Sequence, residues 1–233
     1  MTDRTDLTAE EIRLWAYRLE SKSPEEVLSW AAERFGTEMI LASSFGAEDV
    51  VLIDMLQKVA PGTPVFYLDT NLHFPETEET RERLAKRYGI SFLRVTPRLT
   101  LREQAERYGE KLWEVDPTLC CNLRKVEPLA GLLPAYRAWI TGIRREQAPT
   151  RARVQKIEWD PKFNLVKFNP LAAWKWEEVW QYIRAHDVPY NPLHDRHYPS
   201  IGCSVCTRPV NPGEDLRAGR WAGFAKTECG LHK

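Results

Sequence analysis

The sequence predicts an α/β protein in which a parallel sheet is flanked by helices. Three observations carry that reading. Short, nearly continuous apolar runs recur along the chain, as in strands buried on both faces. Segments with helical spacing separate them. Each run ends in small or polar residues, where open α/β sheets bind their ligands. With 233 residues, 43% of them apolar, the chain can bury one such core without disulfide staples.

The first thirty-odd residues read as two helices. Ser23-Pro24-Glu25-Glu26 opens the second with an N-cap, a proline at the first helical position and a glutamate three residues after the cap. Met39-Ile40-Leu41-Ala42-Ser43 is the first strand, entering a turn at Ser44-Phe45-Gly46; Val50, Val51, Ile53, Leu56 and Val59 then have helical spacing. Val65-Phe66-Tyr67-Leu68 is the second strand and ends at Asp69-Thr70-Asn71. A helix follows from near Pro75 to Tyr88-Gly89, and residues 92–95 and 138–141 read as the third and fourth strands. After about Lys156 the pattern is less regular. An amphipathic helix carries Trp174, Trp176, Val179, Trp180 and Ile183, and a long proline-containing stretch follows it. No flexible linker or internal repeat interrupts the chain, so one domain with a C-terminal extension packed onto it is expected.

The charge balance is 33 Lys+Arg against 33 Asp+Glu. That argues against a protein that coats DNA or RNA, because such binding scales with neutralised phosphates. The N-terminus is charged and lacks a signal peptide's apolar run, and no stretch approaches the ~20 apolar residues of a membrane span. A soluble, cytoplasmic protein with no nucleic-acid or membrane partner is expected. The neutral total conceals segregation. Residues 69–82 carry Asp69, Glu76, Glu78, Glu79 and Glu82 against Arg81, whereas residues 141–156 carry Arg144, Arg145, Arg151, Arg153 and Lys156 against Glu146.

The five cysteines fall as Cys120-Cys121, Cys203-Ser-Val-Cys206 and a lone Cys229. An odd number excludes complete disulfide pairing, and a cytosolic setting disfavours structural disulfides. Four ligands plus one free thiol is the natural division. Closed zinc sites prefer a Cys-x₂₋₄-Cys knuckle at both ends, which Cys203 and Cys206 satisfy and the adjacent pair does not. A four-iron cluster presents iron at several corners and tolerates neighbouring ligands better. A redox dithiol at 203/206, or buried thiols acting as small hydrophobes, remain as alternatives.

Among the polar strand ends, the small residues of Ser43-Ser44-Phe45-Gly46 would let backbone N–H groups approach an anion, or would form an ordinary serine-capped turn. The arginines that flank Gly142 and the cysteines suit phosphate or sulfate oxygens; solvated surface ion pairs explain scattered arginines well, but explain less well their place beside the Gly142 turn and the cysteines. Cys229, with Lys226 and His232 close in sequence, is a thiol that could be activated or an incidental terminal cysteine.

Taken together, these segments resemble the assimilatory adenylyl-sulfate/phosphoadenylyl-sulfate reductase family, iron–sulfur branch. The likeness runs in order from Ser43-Ser44-Phe45-Gly46-Ala47-Glu48-Asp49, through Leu68-Asp69-Thr70 with Phe74-Pro75-Glu76-Thr77, to Cys120-Cys121-Asn122-Leu123-Arg124-Lys125. It continues through Thr141-Gly142-Ile143-Arg144-Arg145, Ile201-Gly202-Cys203-Ser204-Val205-Cys206 and Arg217-Ala218-Gly219-Arg220-Trp221 to the terminal Glu228-Cys229-Gly230-Leu231-His232. The double cysteine with Cys-x-x-Cys is its most specific element.

The resemblance implies an adenine-nucleotide α-hydrolase-like sheet across residues 38–200. N-terminal helices in 1–37 precede it, and a cluster-binding segment with a mobile catalytic tail occupies 201–233. It implies reduction of adenylyl sulfate to sulfite and AMP through an S-sulfocysteine at Cys229, with thioredoxin or glutaredoxin as reductant. One [4Fe–4S] cluster would be held by Cys120, Cys121, Cys203 and Cys206. Substrate contacts are implied for Ser43, Ser44, Gly46, Asp69, Lys125, Gly142, Arg144, Arg145, Arg151, Arg217, Arg220 and His232. Two rivals stand beside this reading: use of the 3′-phosphorylated substrate, and a zinc-stabilised nucleotide- or RNA-binding module related to RNA-sulfurating enzymes. The sequence assigns no role to residues 1–37, and a homo-oligomer contact there is left open.

Overall fold

Helix starts in this chain are written in short polar motifs, and the computed structural model, which describes residues 7–231, places them accordingly. Thr8 caps α1 (Ala9–Leu19) in a reciprocal capping box with Glu11, and Ser23 caps α2 (Pro24–Phe35) with Glu26. The first strand, β1 (Met39–Ala42), leads through the 43–46 turn into α3 (Ala47–Val59). The second, β2 (Val65–Leu68), precedes α4 (Pro75–Tyr88), whose end is set by Gly89 in the left-handed conformation. After β3 (Leu93–Val95) come α5 (Leu101–Tyr108), α6 (Leu112–Val115), α7 (Pro117–Cys121) and α8 (Glu127–Leu132). β4 (Ala138–Ile140), β5 (Ile157–Asp160), β6 (Leu165–Phe168) and α9 (Trp176–Ala185) complete the elements.

The six strands form one sheet in the order β3-β2-β1-β4-β6-β5. Met39 lies opposite Ala138 and Ala138 opposite Val166 in parallel register, as Phe66 does opposite Leu93. Only β5 is antiparallel, with Ile157 opposite Phe168. The α/β fold with a mostly parallel sheet flanked by helices is as expected from the apolar runs.

Three details differ from the sequence expectation. The third strand begins one residue into the 92–95 run, and the fourth ends one residue short of the 138–141 run. The β5–β6 hairpin falls where the pattern looked irregular, because Trp159 and Lys167 break the alternation that marks a strand. The four helices between residues 101 and 132 were not anticipated either; three are too short to display a helical period.

The described residues gather into two compact units, which interleave along the chain. One draws on Met1–Ser43, Ala47–Val65 and Leu133–Pro189, the other on Ser44–Gly46, Phe66–Leu132 and Tyr190–Lys233. The core of the first is built from Ile40, Leu41, Val50, Ile53, Trp139, Ile140 and Phe168, all essentially inaccessible. In the second, Phe45 packs on Tyr67 and edge-on against Phe92. Burying each such side chain contributes about 1.5–3 kcal/mol.

Candidate active site

Four cysteines from two distant segments line a single pocket of the second unit. Asp116 starts the first segment: its carboxylate accepts the N–H groups of Thr118 and Leu119, and Pro117 occupies the first helical position. This fixes α7, whose last two residues are Cys120 and Cys121. The helix then widens into a π-turn over Asn122–Val126, the kind of local expansion that recurs at functional sites. The second segment is the 203–206 turn. Ser204 N–H donates to Leu72 O at 2.8 Å, Cys206 N–H to Cys203 O at 3.0 Å, and Trp221 N–H to Cys206 O at 3.0 Å. The pocket's lining is Pro117, Cys120, Cys121, Arg124, Lys125, Cys203, Cys206, Arg220 and Trp221.

The thiols are electrostatically crowded. Burial, followed by Cys121 and Cys203, pushes the Cys120 thiol up to about 11, and burial with Cys203 and Cys121 pushes Cys206 up to about 12. Burial also raises Cys121. Cys203 goes the other way. Burial opposes its ionisation, but the Lys125 ammonium, the Thr70 hydroxyl and Arg220 outweigh it and hold the pKa below the usual thiol value. Thr70 Oγ1 lies 3.3 Å from Cys203 Sγ and accepts the N–H of Leu72 at 3.3 Å. Lys125 is half-buried, and desolvation disfavours its charge, yet Cys203, Cys121 and Cys229 together raise its pKa. Cys229 thus lies within electrostatic reach of both the pocket and its lysine.

Arg124 braces this arrangement. It is buried, and its guanidinium donates to Thr70 O at 2.7 Å, Asn71 Oδ1 at 2.8 Å, Gln104 Oε1 at 3.1 Å and Leu99 O at 3.3 Å. It ties the loop after β2 to the π-turn carrying Lys125. Arg220 donates to Ser200 Oγ and Ile201 O and lies over the Trp221 ring at 4.5 Å, while its buried Nε has no hydrogen-bond partner among the described residues. A Cβ at Gly202 would overlap the Arg220 guanidinium, so a larger residue there would displace that side chain.

Other residues singled out from the sequence fall into two groups. In the second unit, Asp69 is buried and accepts Arg94 Nε at 2.6 Å and Asn71 N–H at 2.8 Å. Burial works against its charge, but these donors win and hold the carboxyl below its usual range. Arg217 pairs with Glu228 at 3.2 Å. Ser44 and Gly46 flank Phe45, whose φ of 59° shapes the turn.

In the first unit, Ser43 is buried at the end of β1. Gly142 leaves the end of β4 so close to α3 that a Cβ there would overlap Asp49 Oδ1. Arg144 is buried with donors on Glu48 at 2.8 Å and Glu146 at 2.8 Å, and its guanidinium faces Trp176. Arg145 forks onto both oxygens of Glu20 at 2.7 and 2.8 Å. Arg151 donates to Gln147, which donates in turn to Glu48. His232 lies outside the described residues.

Glu228 and Trp221 were not among the site residues chosen from the sequence. Thr70 and Arg124 stand inside the Leu68-Asp69-Thr70 and Cys120–Lys125 stretches, but sequence reasoning assigned neither a role in holding the cysteine pocket. Glu228 was hidden by its place next to Cys229, since nothing local marks a glutamate as buried.

A mostly parallel α/β sheet, a four-thiol pocket lined by a half-buried lysine and a fifth thiol within electrostatic reach of that lysine are the features of a sulfur- or metal-dependent enzyme. Comparison with known proteins narrows it. Residues 38–209 match the phosphoadenosine phosphosulfate reductase domain model. The chain is 52% identical to an adenosine 5′-phosphosulfate reductase of Halalkalibacterium halodurans, covering 92% of this chain and 94% of that protein. It is 50% identical to adenosine 5′-phosphosulfate reductase 2 of Bacillus subtilis, covering 89% of each. Among solved structures, the phosphoadenylyl-sulfate reductase of Candida auris in its phosphate complex superposes with a TM-score of 0.78 at 32% identity, covering 88% of this chain and 99% of that one. The chain belongs to the phosphoadenosine phosphosulfate reductase family.

Proposed function

We propose that this protein reduces adenylyl sulfate to sulfite and AMP, as an oxidoreductase of sulfate assimilation with a thioredoxin-type dithiol as reductant. The names of the relatives at about 50% identity support the substrate. The single observation that carries the chemistry is the juxtaposition of Cys229, Lys125 and the four-cysteine pocket.

The Cys229 thiolate attacks the sulfur of the sulfate group. The bond from that sulfur to the bridging phosphate oxygen breaks, AMP leaves, and Cys229 carries a sulfonate. A thiolate of the reductant then attacks Cys229 Sγ and expels sulfite, and its second thiol resolves the mixed disulfide. The dithiol supplies both electrons that take sulfur from the sulfate to the sulfite state. Lys125 would bring a half-buried cation to the developing negative charge. Arg217 and Arg220, with Gly142, Arg144, Arg145, Arg151, Asp69 and the 43–46 turn, are the proposed substrate contacts. Of these, Arg220 has an unmatched buried N–H for an anion.

Cys120, Cys121, Cys203 and Cys206 would hold one [4Fe–4S] cluster. Three crowded thiols, two buried and one half-buried, whose protons are held tightly are a donor set that needs metal to become thiolate, and Lys125 and Arg220 would offset the charge. When bound, the cluster supplies a fixed negative charge and rigidity beside Lys125. Anaerobically purified protein should be brown; a colourless, zinc-replete, active sample would favour the zinc reading.

The deciding experiment measures sulfite release with thioredoxin, comparing wild type with Cys229→Ser. Loss of both turnover and the sulfonated intermediate is expected, and a variant that still forms it removes Cys229 from this role. A parallel assay with 3′-phosphoadenylyl sulfate tests the second reading, which the likeness to the Candida auris enzyme favours.

A further inference from the structure

We propose that Glu228 is the positioning residue for Cys229: its ion pair with Arg217 latches the C-terminal tail and holds the thiol at the cysteine pocket. The inference rests on the reading of Cys229 as nucleophile and adds the element that presents it.

Glu228 is only 3% exposed, in a tail whose other residues from 222 to 231 are half-buried or exposed. A carboxylate so buried requires a cation, and Arg217 Nη2 supplies it at 3.2 Å. The same nitrogen donates to Thr227 O at 2.9 Å, so one guanidinium grips both the backbone and the side chain just before the thiol. Arg217 is itself held, its N–H donating to Asp215 Oδ1 at 2.8 Å. Lys226 Nζ reaches Thr118 Oγ1 at 3.2 Å and lies over the Trp221 ring at 5.4 Å. On the far side of the thiol, Gly230 turns the chain with φ 89°, and a Cβ there would lie 3.6 Å from Val126.

Cys229 is therefore tied on both sides to the segments that carry the two cysteine pairs. An apolar residue at 228 would satisfy burial alone. A charged pair adds direction, and it opens as a unit when broken, which suits a thiol that must be presented to substrate and then released to a protein reductant.

The test uses the holoenzyme and the variants Glu228→Gln and Glu228→Asp. Trypsin cleavage after Lys226, read by mass spectrometry as release of residues 227–233, reports tail opening, as does the rate of Cys229 alkylation by iodoacetamide. Both rates should rise on the order of tenfold in Glu228→Gln, with Glu228→Asp between it and wild type because the charge is kept. In turnover, kcat should fall while KM for adenylyl sulfate does not rise. Wild-type rates of cleavage and alkylation in Glu228→Gln would overturn the latch, as would a raised KM at unchanged kcat. If Glu228→Gln loses its cluster absorbance, Glu228→Asp carries the same comparison. Cleavage and alkylation need no turnover, so they report on the latch even if Cys229→Ser were to remain active.

Discussion

At the scale of single residues, burial converts ordinary polar side chains into structural commitments. Arg124 satisfies four acceptors, on Thr70, Asn71, Leu99 and Gln104. Arg124→Leu should destabilise the protein by about 3 kcal/mol or more, because the acceptors lose their donor without access to water. Chemical denaturation should register that loss together with a lower cluster content. Gly142→Ala tests a different constraint. Its methyl group would overlap Asp49, so a loss of about 1–3 kcal/mol is expected. Gly142 was legible in the sequence as a motif glycine at a strand end. Its reason, the approach of the β4 loop to α3, was not, because it depends on a pairing nearly a hundred residues apart.

At the scale of elements, local chemistry was the better guide. Ser23 and Glu26 cap α2 as their spacing foretells, and Ser23→Ala should cost about 1 kcal/mol, measurable as a lower urea midpoint with little effect on turnover. Gly89 ends α4 where the apolar period stops. The short helices around the cysteine pair could not be read the same way. Their bounds are set by Asp116 accepting two N–H groups and by the π-turn, features smaller than any periodic window. Replacing Cys203 by Ser should remove the proposed metal centre and lower thermal stability together, since the half-buried Lys125 would then stand beside fewer negative partners. Retention of the brown colour in that variant would count against the four-cysteine assignment.

For the whole molecule, acid should be the destabilising direction. Glu214 is held down to about 2, first by Arg208, and Glu20 lies below its usual range through the Arg145 fork. Glu11, Glu26 and Glu103 are lowered by hydrogen bonds at helix starts, with Lys22 the largest cause at Glu26. Each folded pKa lies below the unfolded one, so the unfolded chain binds more protons in acid. Stability is fully present above the ordinary glutamate pKa of about 4.3 and is lost as the pH falls toward about 2. Urea midpoints measured across that range should fall steadily, and a flat profile would show that these carboxylates contribute little. No helix among the described residues is long and apolar enough to cross a membrane.

The sequence by itself determined the fold class, the principal strands, the capped helices and the division of five cysteines into four and one. These follow from periodicity, spacing and capping chemistry, which act over a few residues. Only the tertiary structure decided which charges stand near which. It brought the two cysteine pairs to one pocket, committed Arg144 and Arg145 to carboxylates of their own unit, and buried Glu228 against Arg217. Charge interactions depend on distance and burial rather than order along the chain, so no local pattern could have announced them.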